Sequence, residues 1–410
     1  MSRATGIRWR GTYLEVAERL RARASAARPV LTASNACVDA VFHVGAARLS
    51  RLTAAAGDGD GIGAELAARV LARIIGGRGG ELLTRWPGGP DWITAVLGPP
   101  DRYQLGGSGP QASWALATVG APSVLALADR SAEQLAVIDP RTGICTNGAV
   151  VAAGSLVAVG TPTKLPHCIL EFTEETRCGT LAVPRSSRII LRFGDEPIER
   201  DEQFFHMAPA LAASAGAALL SGVNSLPEDG SHDRRWLADL SRLWSQAALT
   251  VIHHELGEFP TPARLRQAAG LGLGTSLGLS LSELFMLAGG RGDPCLLAQQ
   301  VANRYGAHRV IVHADHWALA MHRGDPKHEE RVLLAGNTFA AARARNGEPT
   351  AALDPAEEAI YTDDLPPSDA LDDGWQATCV PAPHLRQPAG TIGLGDTFTA
   401  GVLLAESLPI

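Results

Sequence analysis

Short apolar runs bounded by turn residues recur along this 410-residue chain, and helix-like stretches separate several of them. PVLTAS at 29–34, SVLALA at 123–128, AALLSG at 217–222, LTVIHH at 249–254 and HRVIVH at 308–313 have strand length and strand composition. ASWALATVG at 112–120 and RRWLADLSRLWSQAA at 234–248 are helical in character. Strands that alternate with helices predict βαβ units, and so a mainly parallel sheet between helical layers. In such sheets ligands bind beyond the carboxyl ends of the strands.

Two segments break this rhythm. The first, 43–105, carries glycine-rich breaks (GDGDGIG at 57–63, GGRGG at 76–80) and proline-rich turns. The second, 155–200 with its approach, holds short strand-like pieces: GSLVAVG, CILEFTE, GTLAVP and RIILRFG. The expected organisation is a large α/β domain from 1–42, 106–154 and 201–410, with a smaller β-rich lid inserted from 43–105 and 155–200. The stretch 362–375 is expected to be a solvated acidic loop.

Composition narrows the function. A net charge of −7 offers no basic surplus for nucleic acid or acidic membranes. The six cysteines are scattered with no CxxC, which fits free thiols in a reducing, cytoplasmic setting. The arginine-rich N-terminus lacks an apolar segment and contains Glu15 and Glu18, so an amphipathic helix near 11–26 is expected rather than a transit peptide. The uncharged run from His206 to Pro227 is built of Ala, Gly and Ser and interrupted by Pro209 and Gly216. It reads as a helix entering a buried strand, and no membrane association is expected.

The sharpest chemical signal lies near the C-terminus: Gly393-Leu394-Gly395-Asp396-Thr397-Phe398-Thr399-Ala400-Gly401, followed by an apolar helical stretch. Glycines allow a tight turn whose N–H groups converge, and a helix starting there adds its positive end. The result is an anion hole for a phosphoryl group, with Asp396 placed to take a proton from an attacking hydroxyl. Gly-Asp-Thr before a helix is also an ordinary N-cap.

This motif resembles that of the ribokinase-like sugar kinases. An ordered set of further motifs resembles their ADP-dependent glucokinase and phosphofructokinase branch. It comprises Asn35-Ala36-Cys37-Val38-Asp39, Leu105-Gly106-Gly107-Ser108, Leu170-Glu171-Phe172, Val183-Pro184-Arg185 with Ser187-Arg188-Ile189, Leu220-Ser221-Gly222, His253-His254-Glu255, Ser276 through Leu284, and His313. The set is colinear from about 30 to 405. It implies a three-layer αβα core with an inserted lid, and Mg²⁺-dependent phosphoryl transfer to a sugar hydroxyl.

The resemblance also assigns roles. Asp396 is the base, with Gly393, Leu394 and Gly395 supplying anion-hole N–H groups. Glu255 and Glu283 hold Mg²⁺ through water. Asp39, Cys37, Gly106, Gly107, Ser108 and Glu81 face the sugar. Arg185, Arg188 and His313 meet the nucleotide. His253 reads as a core histidine, because Mg²⁺ prefers oxygen.

Three positions depart from the branch pattern: Cys37 stands for Asn, Ser108 for Gln and Ser280 for Asn. The first two change the partners offered to sugar hydroxyls, so the acceptor is left open among sugars, sugar phosphates and sugar-bearing intermediates. ADP is the expected donor. An ATP-dependent kinase of a sugar or nucleoside, and a non-catalytic nucleotide- or sugar-binding protein on the same scaffold, stay open as alternatives. A ligase or hydrolase on another α/β fold has little support, since the chain has no GxxxxGK[ST].

Overall fold

The protein is described by a computed structural model covering residues 3–57, 61–194, 196–226 and 230–409. Residues 58–60 of the first glycine-rich break, and Pro227, lie outside the described residues.

Burial along the first strand explains the layers. All of Val30–Ala33 is buried, yet Leu31 and Ala33 join one apolar cluster and Val30 another. Successive strand side chains point to opposite faces, so this sheet must be covered twice. Helices Glu202–Ser214, Ser231–Gln246, Pro262–Ala269, Leu281–Ala288 and Pro294–Tyr305 cover the Leu31 face. Helices Arg3–Arg23, Ser108–Thr118, Pro326–Asn346 and Leu394–Ser407 cover the Val30 face. The ten strands run in the order Gln376–Pro381, Trp317–His322, Arg309–His313, Ser276–Ser280, Ile252–Glu255, Ala217–Leu220, Val30–Ala33, Ser123–Leu125, Gly143–Thr146, Ala149–Ala152. From Arg309–His313 to Gly143–Thr146 they are parallel, and antiparallel strands close both edges. The expected three-layer core is therefore present, and the carboxyl ends of its strands open on one side.

A second, five-stranded sheet has the order Gly80–Leu83, Ser187–Arg192, His167–Phe172, Cys37–His43, Arg102–Gly106. Helices Ala46–Gly57, Ile62–Ile75 and Gly89–Leu97 pack on one face, where Phe42, Leu49, Val70, Ile93 and Leu170 share a core. The 43–105 segment is thus more helical than its glycines suggested. Period-two alternation leaves Cys37, Asp39, His167, Glu171, Arg188 and Arg192 on the face that turns toward the large sheet.

Other readings meet mixed outcomes. The 206–227 run is a helix, Glu202–Ser214, capped by Asp201 and followed by the buried strand Ala217–Leu220. Pro209 removes one helical hydrogen bond without ending the helix. GSLVAVG at 154–160 forms no strand: a 3-10 turn, Ala153–Ser155, leads into irregular chain with Val157 81% exposed, because no strand lies beside it to pair with. Among the described residues no helix is long and apolar enough to cross a membrane.

Candidate active site

The site lies in a cleft. One wall is formed by the strand ends of the large sheet and the start of the last helix; the other is the uncovered face of the small sheet.

Gly393 turns the chain into the last helix with φ of 69°, a left-handed value that favours glycine. Asp396 stands in the first turn. The Thr397 N–H already bonds Gly393 O at 2.9 Å, whereas the earlier N–H groups of the turn have no acceptor within the helix. They are the backbone donors an anion would use. The approach to the turn is fixed from the other sheet: Glu171 Oε1 accepts from the Thr391 and Ile392 N–H groups at 2.7 and 3.1 Å.

Burial pushes the Asp396 carboxyl above its ordinary pKa, and the charge of Glu255 adds to this. A hydrogen bond from Ser108 and the positive charges of Arg343 and Arg188 oppose it. Arg343 lies beneath the turn. A Cβ on Gly393 would sit 2.6 Å from the Arg343 guanidinium carbon. Arg343 is 1% exposed and donates from Nη1 to Gln111 Oε1 at 2.6 Å and to Thr397 Oγ1 at 3.0 Å. Its Nε and Nη2 have no partner among the described residues. Burial lowers its pKa to about 10, which leaves it charged at neutral pH. The two helices involved approach closely, since a Cβ on Gly401 would lie 2.4 Å from Ala335 O. The last glycine of the motif therefore has a packing reason.

The acids cluster at neighbouring strand ends. Glu255 ends Ile252–Glu255; its Oε2 meets His253 Nε2 at 3.1 Å and accepts from Thr399 Oγ1 at 3.1 Å, and its Oε1 lies 3.4 Å from His313 Nε2. Burial alone would raise its pKa, but the bonds and charge of both histidines hold it well below the usual range. Glu283 forms a capping box with Ser280, its Oε2 accepting from the Ser280 N–H at 2.6 Å. Burial raises its carboxyl to about 6. His313 packs on Phe398, with ring centroids 5.5 Å apart, and lies close to Gly395, whose Cβ would be 3.0 Å from the ring. Burial disfavours its charge, yet Glu255, Glu283 and Asp396 together raise its pKa.

Across the cleft, Cys37 pairs with Gly106 and Asp39 with His167 in strand register. Cys37 Sγ lies 3.6 Å from Asp39 Oδ1 and 3.4 Å from His167 Nδ1. His167 Nε2 meets Glu196 Oε1 at 2.7 Å. Burial raises Asp39 to about 6; the Asp396 charge adds to this, and His167, Cys37 and Arg343 oppose it. A Cβ on Gly106 would come within 2.2 Å of Asp39 Oδ1, so only glycine lets this wall form. Gly107, with φ of 90°, leads into Ser108, the first residue of Ser108–Thr118. Glu81 joins Arg192 at 3.2 Å and Asn224 at 3.0 Å, which links the two sheets. Glu255, Glu283, Asp396 and Asp39 thus face one cleft around a helix start.

The conserved-region model of the ADP-specific phosphofructokinases and glucokinases matches residues 28–405. The chain belongs to this ADP-specific phosphofructokinase/glucokinase family. As a member it is a sugar kinase, a phosphotransferase with an alcohol acceptor. No curated protein matches it by sequence. Among solved structures it is similar to an ADP-dependent kinase in complex with fructose-6-phosphate and ADPβS, with TM-score 0.79 and 18% identity over 97% of each chain. It is also similar to a hypothetical ADP-dependent phosphofructokinase from Pyrococcus horikoshii, with TM-score 0.74 and 15% identity over 93% of this chain and 98% of that one. A third is the last common ancestor of ADP-dependent phosphofructokinases from Methanosarcinales, with TM-score 0.70 and 18% identity over 98% and 99%. At these identities the likeness shows the shared fold.

The remaining expected contacts of the kinase divide in two. Arg185 is exposed at the rim of the cleft and pairs with Asp315 at 3.0 Å. Arg188 is half-buried, and its charge acts on Asp396 and Glu258. Sequence reasoning missed Arg343, His167, Glu196 and Arg192. For His167 and Arg192 a signal existed, because alternation in HCILEF and SRIILR places both on the face opposite Leu170 and Ile189. Arg343 gave none: it is one arginine among several near the end of an alanine-rich helix.

Proposed function

We propose that this kinase transfers the terminal phosphoryl group of ADP to a hydroxyl of a sugar or sugar derivative, releasing AMP, with Asp396 as general base. The observation that carries the reading is the placement of Asp396: a half-buried carboxylate of raised pKa in the first turn of a helix with free N–H groups, between Ser108 and Arg343. Asp396 takes the acceptor proton as the hydroxyl oxygen bonds to the β-phosphorus. The bond from that phosphorus to the bridging oxygen breaks, and the oxygen leaves with AMP. Backbone N–H groups at Gly393–Gly395 and the charge of Arg343 face the transferring oxygens, where such donors act most strongly.

Mg²⁺ is the proposed cation, and the residues fit it. Glu255 and Glu283 are buried carboxylates at adjacent strand ends, and oxygen donors in small number suit a cation that keeps its waters. It would neutralise phosphate charge when bound. Asp39, Cys37, Ser108, Glu81 and the backbone at Gly106 and Gly107 are the proposed acceptor contacts; Arg185, Arg188 and His313 are those on the nucleotide side. The lid drawn from 43–105 and 155–200 would close to exclude water, a competing acceptor. Support for a sugar and nucleotide pair comes from the structural neighbour that holds fructose-6-phosphate and ADPβS.

The test is Asp396→Asn, with release of AMP followed alongside nucleotide binding. Turnover is expected to fall by a factor on the order of 10²–10⁴ while nucleotide affinity persists. A variant with near-parental turnover removes Asp396 as the base.

A further inference from the structure

We propose that Cys37, Asp39 and His167 form a binding site for a divalent cation of the zinc class, separate from the carboxylate pair at Glu255 and Glu283.

Three donors converge from neighbouring strands. Cys37 Sγ to His167 Nδ1 is 3.4 Å, Cys37 Sγ to Asp39 Oδ1 is 3.6 Å, and His167 Nδ1 to the same Asp39 Oδ1 is 3.6 Å. A tetrahedral zinc with bonds of about 2.3 Å to sulfur and about 2.0–2.1 Å to nitrogen and oxygen has ligand–ligand edges of roughly 3.3–3.6 Å. The three separations already match those edges. This trio is a cluster whose ligand atoms all lie within 4.8 Å of one another.

The surroundings supply a second, independent observation. His167 Nε2 is 2.7 Å from Glu196 Oε1, and Glu196 Oε2 is 3.6 Å from Arg192. A carboxylate holding the far nitrogen fixes the tautomer that turns a lone pair of Nδ1 toward the other two donors, an arrangement recurrent behind metal-bound histidines. Thiolate and carboxylate together balance a 2+ charge. The strand opposite places Gly106 beside Cys37, and a Cβ there would fall 2.2 Å from Asp39 Oδ1 and 2.6 Å from Cys37 Sγ. Only glycine leaves those two ligand atoms uncovered, so a fourth ligand can enter. Sulfur and imidazole select a softer ion than the all-oxygen pair across the cleft.

A consequence rests on the kinase reading. Asp39 would serve both the cation and the acceptor, so occupancy by zinc competes with the acceptor and leaves nucleotide binding unaffected.

The experiment titrates the full-length protein with Co²⁺ in excess Mg²⁺, recording thiolate-to-cobalt charge-transfer absorption and the metal bound per chain. One Co²⁺ per chain is expected, displaced by Zn²⁺. The absorption should vanish in Cys37→Ser and in His167→Gln, weaken about 10- to 100-fold in apparent affinity in Glu196→Gln, and persist in Cys178→Ser. Absence of the band, or a band that survives Cys37→Ser or His167→Gln in a variant whose circular dichroism matches the parent, overturns the site. Asp396→Asn is expected to bind Co²⁺ like the parent. A failed cobalt titration therefore leaves the kinase reading intact, and a failed Asp396→Asn test leaves the metal site intact.

Discussion

Arg343 is a fixed positive charge below the Gly393–Asp396 turn, and its neighbours show what it does. It lowers the pKa of both Asp396 and Asp39, two carboxyls whose pKa burial raises. Replacing it by Met keeps the length and removes the charge. Turnover is expected to fall by a factor on the order of 10², comparable to loss of one oxyanion donor. The pH profile carries the sign. In the proposed mechanism Asp39 and Asp396 act as carboxylates, so kcat/KM is expected to fall as pH drops through their pKa values, about 6 for Asp39. Without Arg343 both values rise, and the fall should begin at higher pH. A lower rate with an unmoved acid limb would make Arg343 a packing residue only. At this scale the sequence was informative wherever a short motif fixes the backbone, as at Gly393–Asp396. It was silent where chemistry depends on a distant helix, because nothing in the local pattern around Arg343 marks one arginine as buried.

Glu283 shows how one element can serve two purposes. Its carboxylate caps the helix Leu281–Ala288 through the Ser280 N–H, while the Ser280 hydroxyl accepts from the Glu283 N–H at 3.3 Å. The cap and the proposed metal role can be separated. Ser280→Ala removes the capping hydroxyl and should cost about 0.5–2 kcal/mol of stability. Glu283→Gln keeps a residue able to close the capping box, so its melting temperature should change little while the Mg²⁺ needed for half-maximal rate rises several-fold. Equal thermal loss in both variants, with unchanged Mg²⁺ demand, would reduce Glu283 to a cap. The buried parallel strands were legible because each is a continuous apolar run, as in Ala217–Leu220. The 154–160 run had the same look but pairs with no strand, its Val159 N–H bonding only the loop carbonyl of Arg130 at 2.9 Å, and pairing is a property of the fold that no local run contains. The helices at Ala46–Gly57 and Ile62–Ile75 were hidden by the glycines that separate them.

Across the whole molecule, two sheets share one site through a small number of polar links. Glu171 reaches the Thr391–Ile392 backbone, Glu81 meets Asn224, and Arg185 meets Asp315. The last pair is more than half exposed on both sides, and such pairs contribute about 0–1 kcal/mol. Of the links just named, two are therefore sheltered and one is easily opened at the rim. Small-angle scattering should show a smaller radius of gyration with nucleotide and acceptor together than with neither, and an unchanged radius would count against lid closure. The course of the chain adds one more point. The strand Val30–Ala33 ends in the large sheet, and Cys37–His43 begins the small one only a few residues later. Arg102–Gly106 ends the chain's first passage through the small sheet, and Ser108–Thr118 returns to the large domain just after it. Cys37, Asp39, Gly106 and Ser108 sit at two of these crossings. Under the proposed lid closure they would line the pivot and not the jaws: a fraction of an ångström gained beside Asp39 would become a much longer sweep at Arg185, so even a small occupant would set the angle of the entire lid.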